Sequence, residues 1–278
     1  MNYDLIAFDM DGTLLNSKKQ IDEKTLSSIK KAVQNNKIVC LSTGRSLAEL
    51  EIFGDLLSDI QYFIAVSGAI IYDNKNKKII HSNPVEEKTV RRLMSAADKK
   101  DLMIHIHSDK PLMEKEKLEQ IQKYNMGVYK KMFKEIAFTV PSIPAFYEKN
   151  KIPVYKLNFY LPNPESREEF YNELLNMNLD VTYSYAETAS LECSAPNTSK
   201  GEGLKILCKK LEIPIEKTIA VGDAENDLPI LKIAGLSVAM ENAKQIVKDC
   251  SKKIVKDNDH SGCAQAIEEF LVGESDEN

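Results

Sequence analysis

Short apolar runs that end directly in polar residues are the feature that most constrains the fold of this chain. The first run, Leu5–Phe8, is followed by Asp9-Met10-Asp11-Gly12-Thr13. A continuous apolar run is typical of a strand that is buried on both faces of a parallel sheet. In open α/β sheets, ligands bind outside the carboxyl ends of such strands. We therefore predict that the two carboxylates lie at an active-site position.

Two further apolar runs also end in residues that carry chemistry. Ile38–Leu41 leads into Ser42-Thr43-Gly44-Arg45, and Thr218–Val221 leads into Gly222-Asp223-Ala224-Glu225-Asn226-Asp227. Between the first two runs, apolar residues recur at helical spacing, which predicts a βαβ unit with parallel strands. Because the carboxyl ends of parallel strands meet at one edge of a sheet, we expect these residues to lie near Asp9.

The pattern changes near Pro84 and changes back near Lys200. The middle of the chain mixes helices with alternating strands, which is typical of an α+β domain with a largely antiparallel sheet. We predict an α/β fold with a doubly wound, Rossmann-like parallel core from residues 1–83 and 191–278. Residues 84–190 would form an inserted α+β cap, and residues 273–278, which lack apolar side chains, a mobile tail.

Composition excludes several classes of protein. The net charge is −5 and no basic stripe is present, so nucleic acid is not an expected partner. No run approaches the roughly 20 apolar residues that cross a bilayer, so no membrane association is expected either. The five cysteines are scattered and form no CxxC pair, which favours a reducing cytoplasm. Composition leaves the oligomeric state open.

The polar residues after the three runs match the needs of phosphoryl transfer, which requires positioning and neutralised charge. Asp9 can attack phosphorus, and Asp11 can donate a proton to the leaving group and later accept one from water. A site with these two residues, Asp223 and Asp227 would repel a phosphate unless a cation were present. Oxygen ligands without convergent histidine or cysteine suit Mg²⁺.

Other residues can supply donors to a phosphate. Lys200 offers a point charge, and the Thr43 hydroxyl and the Gly44 amide offer hydrogen bonds. Arg45 is equally consistent with a structural ion pair and with a substrate contact. His105 and His107 alternate on one strand face, which is consistent with a metal pair or with a solvated or cleft-facing strand surface.

Taken in order, Asp9-Met10-Asp11-Gly12-Thr13-Leu14-Leu15, Ser42-Thr43-Gly44-Arg45, Ser199-Lys200-Gly201 and Gly222-Asp223-x-x-Asn226-Asp227 form four spaced motifs. They resemble the motifs of haloacid dehalogenase-like phosphatases, and the Cof-like sugar-phosphatase subgroup, with its large inserted cap, is the most similar. The resemblance covers essentially the whole chain. One departure is Ser67-Gly68-Ala69, where relatives commonly have Asn-Gly-Ala.

The resemblance implies a role for each matching residue. Asp9 would be the nucleophile and a metal ligand, and Asp11 the acid/base that also offers its backbone carbonyl to Mg²⁺. Asp223 would be the third ligand, and Asp227 would orient Lys200 or a water on the metal. The phosphoryl group would be held by the Met10 amide, Thr43, Gly44, Lys200 and Asn226.

We therefore predict a Mg²⁺-dependent, cytoplasmic phosphatase that hydrolyses small phosphorylated metabolites, with sugar phosphates as the expected class. It would act through an aspartyl-phosphate intermediate, and the cap would select the substrate. Two alternatives remain open, a phosphotransferase or phosphomutase of the same superfamily and a non-catalytic phospholigand sensor. The intact Asp11 argues against the sensor.

Overall fold

The computed structural model of the protein describes residues 2–185 and 187–273. The strands in these residues are β1 (Leu5–Phe8), β2 (Ile38–Ser42), β3 (Tyr62–Ala65), β4 (Ile70–Asp73), β5 (Lys78–Ser82), β6 (Met103–His107), β7 (Pro111–Glu114), β8 (Phe138–Val140), β9 (Lys156–Tyr160), β10 (Thr182–Ser184), β11 (Ser190–Ser194), β12 (Thr218–Gly222), β13 (Leu236–Met240) and β14 (Lys253–Val255).

The α-helices in the same residues are α1 (Glu23–Gln34), α2 (Leu47–Glu51), α3 (Glu87–Ala97), α4 (Lys115–Glu119), α5 (Lys130–Ile136), α6 (Ile143–Asn150), α7 (Pro164–Asn176), α8 (Lys200–Leu211), α9 (Leu228–Leu231), α10 (Gln245–Cys250) and α11 (Gly262–Ala266). A π-helical segment, Ile267–Val272, follows α11.

The chain divides into two compact units, and the first contains residues up to 45, 53–81 and from 199 onward. Its eight-stranded sheet has the order β14-β13-β12-β1-β2-β3-β4-β5. The strands from β14 to β3 pair in parallel, whereas β4 runs antiparallel to β3. This confirms the predicted doubly wound parallel core.

Strand register brings the polar motifs of the first unit to one edge. Phe8 of β1 lies opposite Leu41 of β2 on one side and Val221 of β12 on the other. All four residues of β1 are buried, as its uninterrupted apolar sequence predicts. The residues that follow these three positions therefore lie side by side at the carboxyl edge of the sheet.

The second unit contains residues 46–52 and 82–198. Its six-stranded sheet has the order β10-β11-β9-β6-β7-β8 and is antiparallel except between β7 and β8. One face of the sheet packs on an apolar cluster to which α3, α6 and α7 contribute, including Leu93, Ile143 and Phe170. The α+β character predicted for the middle of the chain is confirmed.

The extent of the second unit differs from the predicted insertion in three places, which are residues 46–52, 82–83 and 191–198. The sequence predicts residues 191–198 in the core, but β11 pairs with β9 and β10 and so belongs to the second sheet. Residues 46–52 also belong to the second unit, although only residues 43–45 separate them from β2. Within that unit, Glu49 of α2 approaches His107 of β6, with Oε2 3.8 Å from Nδ1.

The predicted tail lies outside the described residues except for Gly273. Across residues 2–185 and 187–273, no helix combines the length and the apolar character that crossing a bilayer requires.

Candidate active site

A buried lysine joins two carboxylates at the carboxyl edge of the first sheet. Lys200 is the first residue of α8, and its Nζ lies 2.5 Å from Asp9 Oδ1 and 2.6 Å from Asp227 Oδ1. The exposed fraction is only 1% for Lys200 and for Asp227, and 6% for Asp9. Buried charges persist when they are paired and hydrogen-bonded, so these three groups form one electrostatic unit.

The pKa values in this unit follow from one cation between two anions. Burial disfavours the charged form of Lys200, but the carboxylates of Asp227 and Asp9 outweigh it and raise the pKa of the lysine. Burial, together with repulsion from Asp227, raises the pKa of Asp9 well above its usual value, although Lys200 acts in the opposite direction. The excess of negative charge is therefore not fully compensated by the lysine.

Asp227 is fixed by the loop that follows β12. Its Oδ2 accepts hydrogen bonds from the backbone amides of Asp223 at 3.0 Å and Ala224 at 3.1 Å. A Cβ on Gly222 would lie 2.5 Å from the Asp227 Cγ, so only glycine lets the carboxylate come this close to the strand end. These contacts fix the Asp227 carboxylate beside Lys200.

Asp223 completes a group of carboxylates. Thr13 donates a hydrogen bond from Oγ1 to Asp223 Oδ1 at 2.7 Å. The pKa of Asp223 is raised to about 6, and burial is the largest cause. The negative charge of Asp227 also raises this pKa, whereas the hydrogen bond from Thr13 lowers it. One oxygen from each of Asp9, Asp223 and Asp227 lies within 4.8 Å of the others.

This carboxylate group fits a divalent cation. All its donors are oxygens, which suits a hard ion such as Mg²⁺. Burial and, after it, repulsion between the carboxylates raise the pKa values of Asp9 and Asp223, and a cation would relieve that repulsion. Asp227 already accepts three hydrogen bonds, so Asp9 and Asp223 are the side chains with capacity for an ion.

Asp11 lies in a different environment from Asp9. Arg45 donates from Nε to Asp11 Oδ2 at 2.7 Å and from Nη2 to Oδ1 at 2.9 Å, and Lys19 Nζ lies 2.8 Å from Oδ1. Burial favours the neutral acid, but these two cations outweigh it and lower the pKa of Asp11 to about 2. The structure therefore holds Asp11 as a carboxylate, and it places Arg45 in an ion pair.

Besides Lys200, the predicted phosphate-binding residues come from three loops of the first unit. Met10 and Thr43 are buried, and Thr43 donates its backbone N–H to the Ile64 carbonyl at 2.9 Å. Gly44 follows Thr43 directly beyond the end of β2. Asn226 lies in the one-turn helix Glu225–Asp227, and its Oδ1 is buried without a hydrogen-bonding partner.

The loop after β3 supports the lysine. Val66 and Ser67 have φ values of 51° and 57°, and Gly68 has a φ of 102°. A Cβ on Gly68 would lie 2.1 Å from the backbone oxygen of Ser199, the residue before Lys200. The glycine of Ser67-Gly68-Ala69 is thus required for the close approach of this loop to the start of α8.

Sequence reasoning gave no role to two residues that contact the site. Thr13 binds Asp223, and Lys19 binds Asp11. Thr13 lies inside the first motif, so its hydroxyl was a visible signal. Lys19 belongs to an ordinary polar stretch and carries no signal in the sequence.

Comparison with known proteins gives consistent matches along the chain. The family model for haloacid dehalogenase-like hydrolases matches residues 6–267. Phosphatase YwpJ of Bacillus subtilis is 27% identical, and the alignment covers 96% of this chain and 99% of that protein. The 5-amino-6-(5-phospho-D-ribitylamino)uracil phosphatase YcsE of the same organism is 27% identical over 96% of each chain. A solved haloacid dehalogenase-like hydrolase from B. subtilis gives a TM-score of 0.84 at 27% identity, covering 96% of this chain and all of that one.

Proposed function

The chain belongs to the haloacid dehalogenase-like hydrolases, and we propose that it is a phosphatase that hydrolyses small phosphorylated metabolites. The observation that carries this proposal is the pairing of buried Asp9 with Lys200 beside Asp223 and Asp11 at one sheet edge. Relatives support it, because YwpJ and YcsE are both named as phosphatases and align over almost the whole chain.

We propose Asp9 as the nucleophile. Its carboxylate would form a bond to phosphorus while the bond from phosphorus to the alcohol oxygen breaks, which leaves a phosphoryl group on Asp9. Lys200 holds Asp9 in place and supplies positive charge where negative charge develops on the phosphoryl oxygens. The remaining phosphoryl oxygens would be bound by Thr43, Gly44, Asn226 and the Met10 amide.

Asp11 would act as the acid and base of the two steps. In the first step it would give a proton to the leaving alkoxide, and in the second it would take one from the attacking water. The ion pair with Arg45 and Lys19 keeps Asp11 ionised, which suits the second step. The first step requires that this ion pair loosens so that Asp11 can carry a proton.

Mg²⁺ is the proposed cofactor, held by Asp9, Asp223 and the backbone carbonyl of Asp11. When bound, it neutralises charge on the phosphate and so lowers the repulsion between the phosphate and Asp9. Removal of the metal with EDTA should silence the enzyme and addition of Mg²⁺ should restore it. Full activity after exhaustive chelation would contradict the metal assignment.

Phosphate release tests the function directly. We expect steady turnover of para-nitrophenyl phosphate with Mg²⁺, and we expect a screen of sugar phosphates and other phosphorylated metabolites to rank substrates by kcat/KM. Release of inorganic phosphate without a new phosphorylated product separates hydrolysis from phosphotransfer or mutase activity. Phosphate binding without turnover would instead indicate a sensor. The second unit is the proposed specificity domain.

A further inference from the structure

The loop that follows β1 is held by side chains from the far end of the chain. Three backbone carbonyls of this loop accept hydrogen bonds from such side chains, which run from Asn242 Nδ2 to Gly12 at 2.8 Å, from Cys263 Sγ to Thr13 at 3.3 Å and from Asn258 Nδ2 to Leu15 at 2.8 Å. The donors lie 230 to 250 positions away in the sequence. The segment that carries Asp9 and Asp11 is therefore fixed by tertiary contacts within the first unit.

Gly12 needs such a restraint because this position has to be glycine. Its φ is 84°, and a Cβ here would lie 2.4 Å from Asp223 Oδ2. Only glycine therefore lets the loop come this close to Asp223, and glycine has the greatest backbone freedom of all residues. The Gly12 carbonyl belongs to the peptide next to the one that holds the Asp11 carbonyl. The bond from Asn242 thus restrains the stretch of backbone on which the direction of the Asp11 carbonyl depends.

Asn242 lies in the segment that follows β13, and this segment also contacts the loop that carries Asp223. The backbone N–H of Lys244 donates to the Asp223 carbonyl at 3.0 Å. In the sheet, β12 lies between β13 and β1, so Asn242 contacts a loop that does not follow a neighbouring strand. One short segment therefore holds both loops from which the proposed ligands of Mg²⁺ come.

Asn258 fixes the orientation of the Asn242 amide. The backbone N–H of Asn258, which follows β14, donates to Asn242 Oδ1 at 3.2 Å. An amide oxygen only accepts and an amide nitrogen only donates, so this contact leaves Nδ2 for the Gly12 carbonyl. Both ends of the Asn242 amide are thus paired, and the side chain forms a bridge of defined length to Gly12.

We propose that Asn242 is a positioning residue for the metal site, an inference that rests on the proposed function. Asn242 acts through the Gly12 backbone, because it holds the Asp11 carbonyl in place relative to Asp223 on the other loop. A cation binds more tightly when its ligands are already in place, since less conformational freedom is lost on binding. Loss of the bridge therefore weakens metal binding and leaves the chemistry at saturating metal largely intact.

Metal binding can be measured without turnover. Mn²⁺ is the probe, because it shares the preference of Mg²⁺ for oxygen ligands and its free ion is measured by electron paramagnetic resonance. The control for Asn242→Ala is Asn35→Ala, which loses a similar bond from Nδ2 to the Lys31 carbonyl at 2.8 Å. We expect the Kd for Mn²⁺ to rise at least about fivefold in Asn242→Ala, or about 1 kcal/mol, and to stay unchanged in the control. The bond from Thr13 to Asp223 remains in the variant, so binding is weakened and not abolished.

Kinetics and unfolding separate positioning from a general loss of structure. With para-nitrophenyl phosphate, the Mg²⁺ concentration for half-maximal rate should rise in Asn242→Ala, whereas kcat at saturating Mg²⁺ should stay within about threefold of wild type. In EDTA, the Tm of Asn242→Ala and of Asn35→Ala should change by similar small amounts, since each variant loses one exposed hydrogen bond. Asn242→Ser, whose single hydroxyl is too short to bridge Asn258 and Gly12, should weaken Mn²⁺ binding equally and serves if the alanine variant does not fold.

The outcomes that count against the positioning role are specific. A Kd for Mn²⁺ within about twofold of wild type in a folded Asn242 variant, or an equal rise in the control, would overturn the proposal. Loss of kcat at saturating Mg²⁺ with an unchanged Kd would also overturn it, because Asn242 would then act on the chemistry. Wild-type protein that binds Mn²⁺ but turns over no phosphate ester would refute the phosphatase, and the Kd comparison would still decide the role of Asn242.

Discussion

Replacement of Lys200 by methionine removes the only cation that contacts both Asp9 and Asp227 in the described structure. Removing one partner of a buried ion pair typically costs about 3–5 kcal/mol, because an uncompensated charge remains. Lys200 pairs with two carboxylates, so we expect the upper part of that range, about 4–5 kcal/mol. The total free energy of unfolding of a protein is only about 5–15 kcal/mol, so the variant should lose a large part of its stability.

Thermal unfolding followed by circular dichroism measures this loss. At about 2–4 °C per kcal/mol for chains of this size, the Tm of Lys200→Met should fall by roughly 8–20 °C. The measurement is made in EDTA, because a metal ion bound only to the folded state would add its own stabilisation. The matched control is Lys205→Met on the same helix, where Lys205 makes an exposed ion pair with Glu202 at 2.6 Å. Its Tm should change little, since exposed pairs contribute at most about 1 kcal/mol.

The pH dependence gives an independent check. Without Lys200 the pKa of the Asp9 carboxyl should rise further above its unfolded value of about 4, so the folded variant binds a proton that the unfolded chain has released. The stability of the variant therefore falls as pH rises above the unfolded pKa. The Tm difference between the variant and wild type should become smaller as pH is lowered from about 8 to about 5. A Tm within about 2 °C of wild type at both pH values would refute the electrostatic reasoning.

Three further predictions concern neighbouring residues. Asp9→Asn should lower kcat by at least about a thousandfold with an unchanged circular dichroism spectrum, and activity within about tenfold of wild type would contradict the nucleophile assignment. Arg45→Met should raise the pKa of Asp11 from about 2 towards its ordinary value, as carbon NMR of the carboxyl would show. In wild type the lowered pKa of Asp11 stabilises the fold at pH values above the unfolded pKa, and this stabilisation is lost as the carboxylate is protonated. The Tm difference between Arg45→Met and wild type should therefore disappear as pH falls from about 4 to 2, and a constant difference would contradict the ion-pair interpretation. Gly68→Ala should lower stability by more than about 1 kcal/mol, well beyond the loss in Gly54→Ala, which shares a positive φ but has no atom within 4 Å of the new Cβ. Equal losses in a urea titration would show that the contact with Ser199 does not matter.

The edge where the catalytic candidates meet was predictable from sequence for a simple reason. Apolar runs define buried parallel strands, and residues that follow such strands are brought together by the geometry of the sheet. The register of Phe8 against Leu41 and Val221 confirms this. Lys200 was identified only through its motif, because a lone lysine gives no indication that it is buried.

Side-chain pairing was less predictable. Arg45 was consistent with two roles, and nothing local distinguishes an ion pair with Asp11 from a substrate contact, since both depend on the direction of a long flexible side chain. The limit of the inserted unit was also missed, because β11 shows the same buried pattern as a core strand and only its partner β9 reveals its sheet. His105 contacts Phe133 of helix α5, with ring centroids 5.0 Å apart, and this contact between distant elements has no signal in the sequence of its own strand.

The membership of residues 46–52 in the second unit has a consequence for dissecting the protein. The backbone passes from one unit to the other after residues 45, 52, 81 and 198, so the second unit is assembled from two separate stretches of chain. A gene fragment for residues 82–198 alone would lack α2 and the Glu49 carboxylate near His107. Conversely, splicing that fragment out would leave α2 tethered to the remainder without its native packing partners. Exchange of the second unit between relatives should therefore move both stretches together.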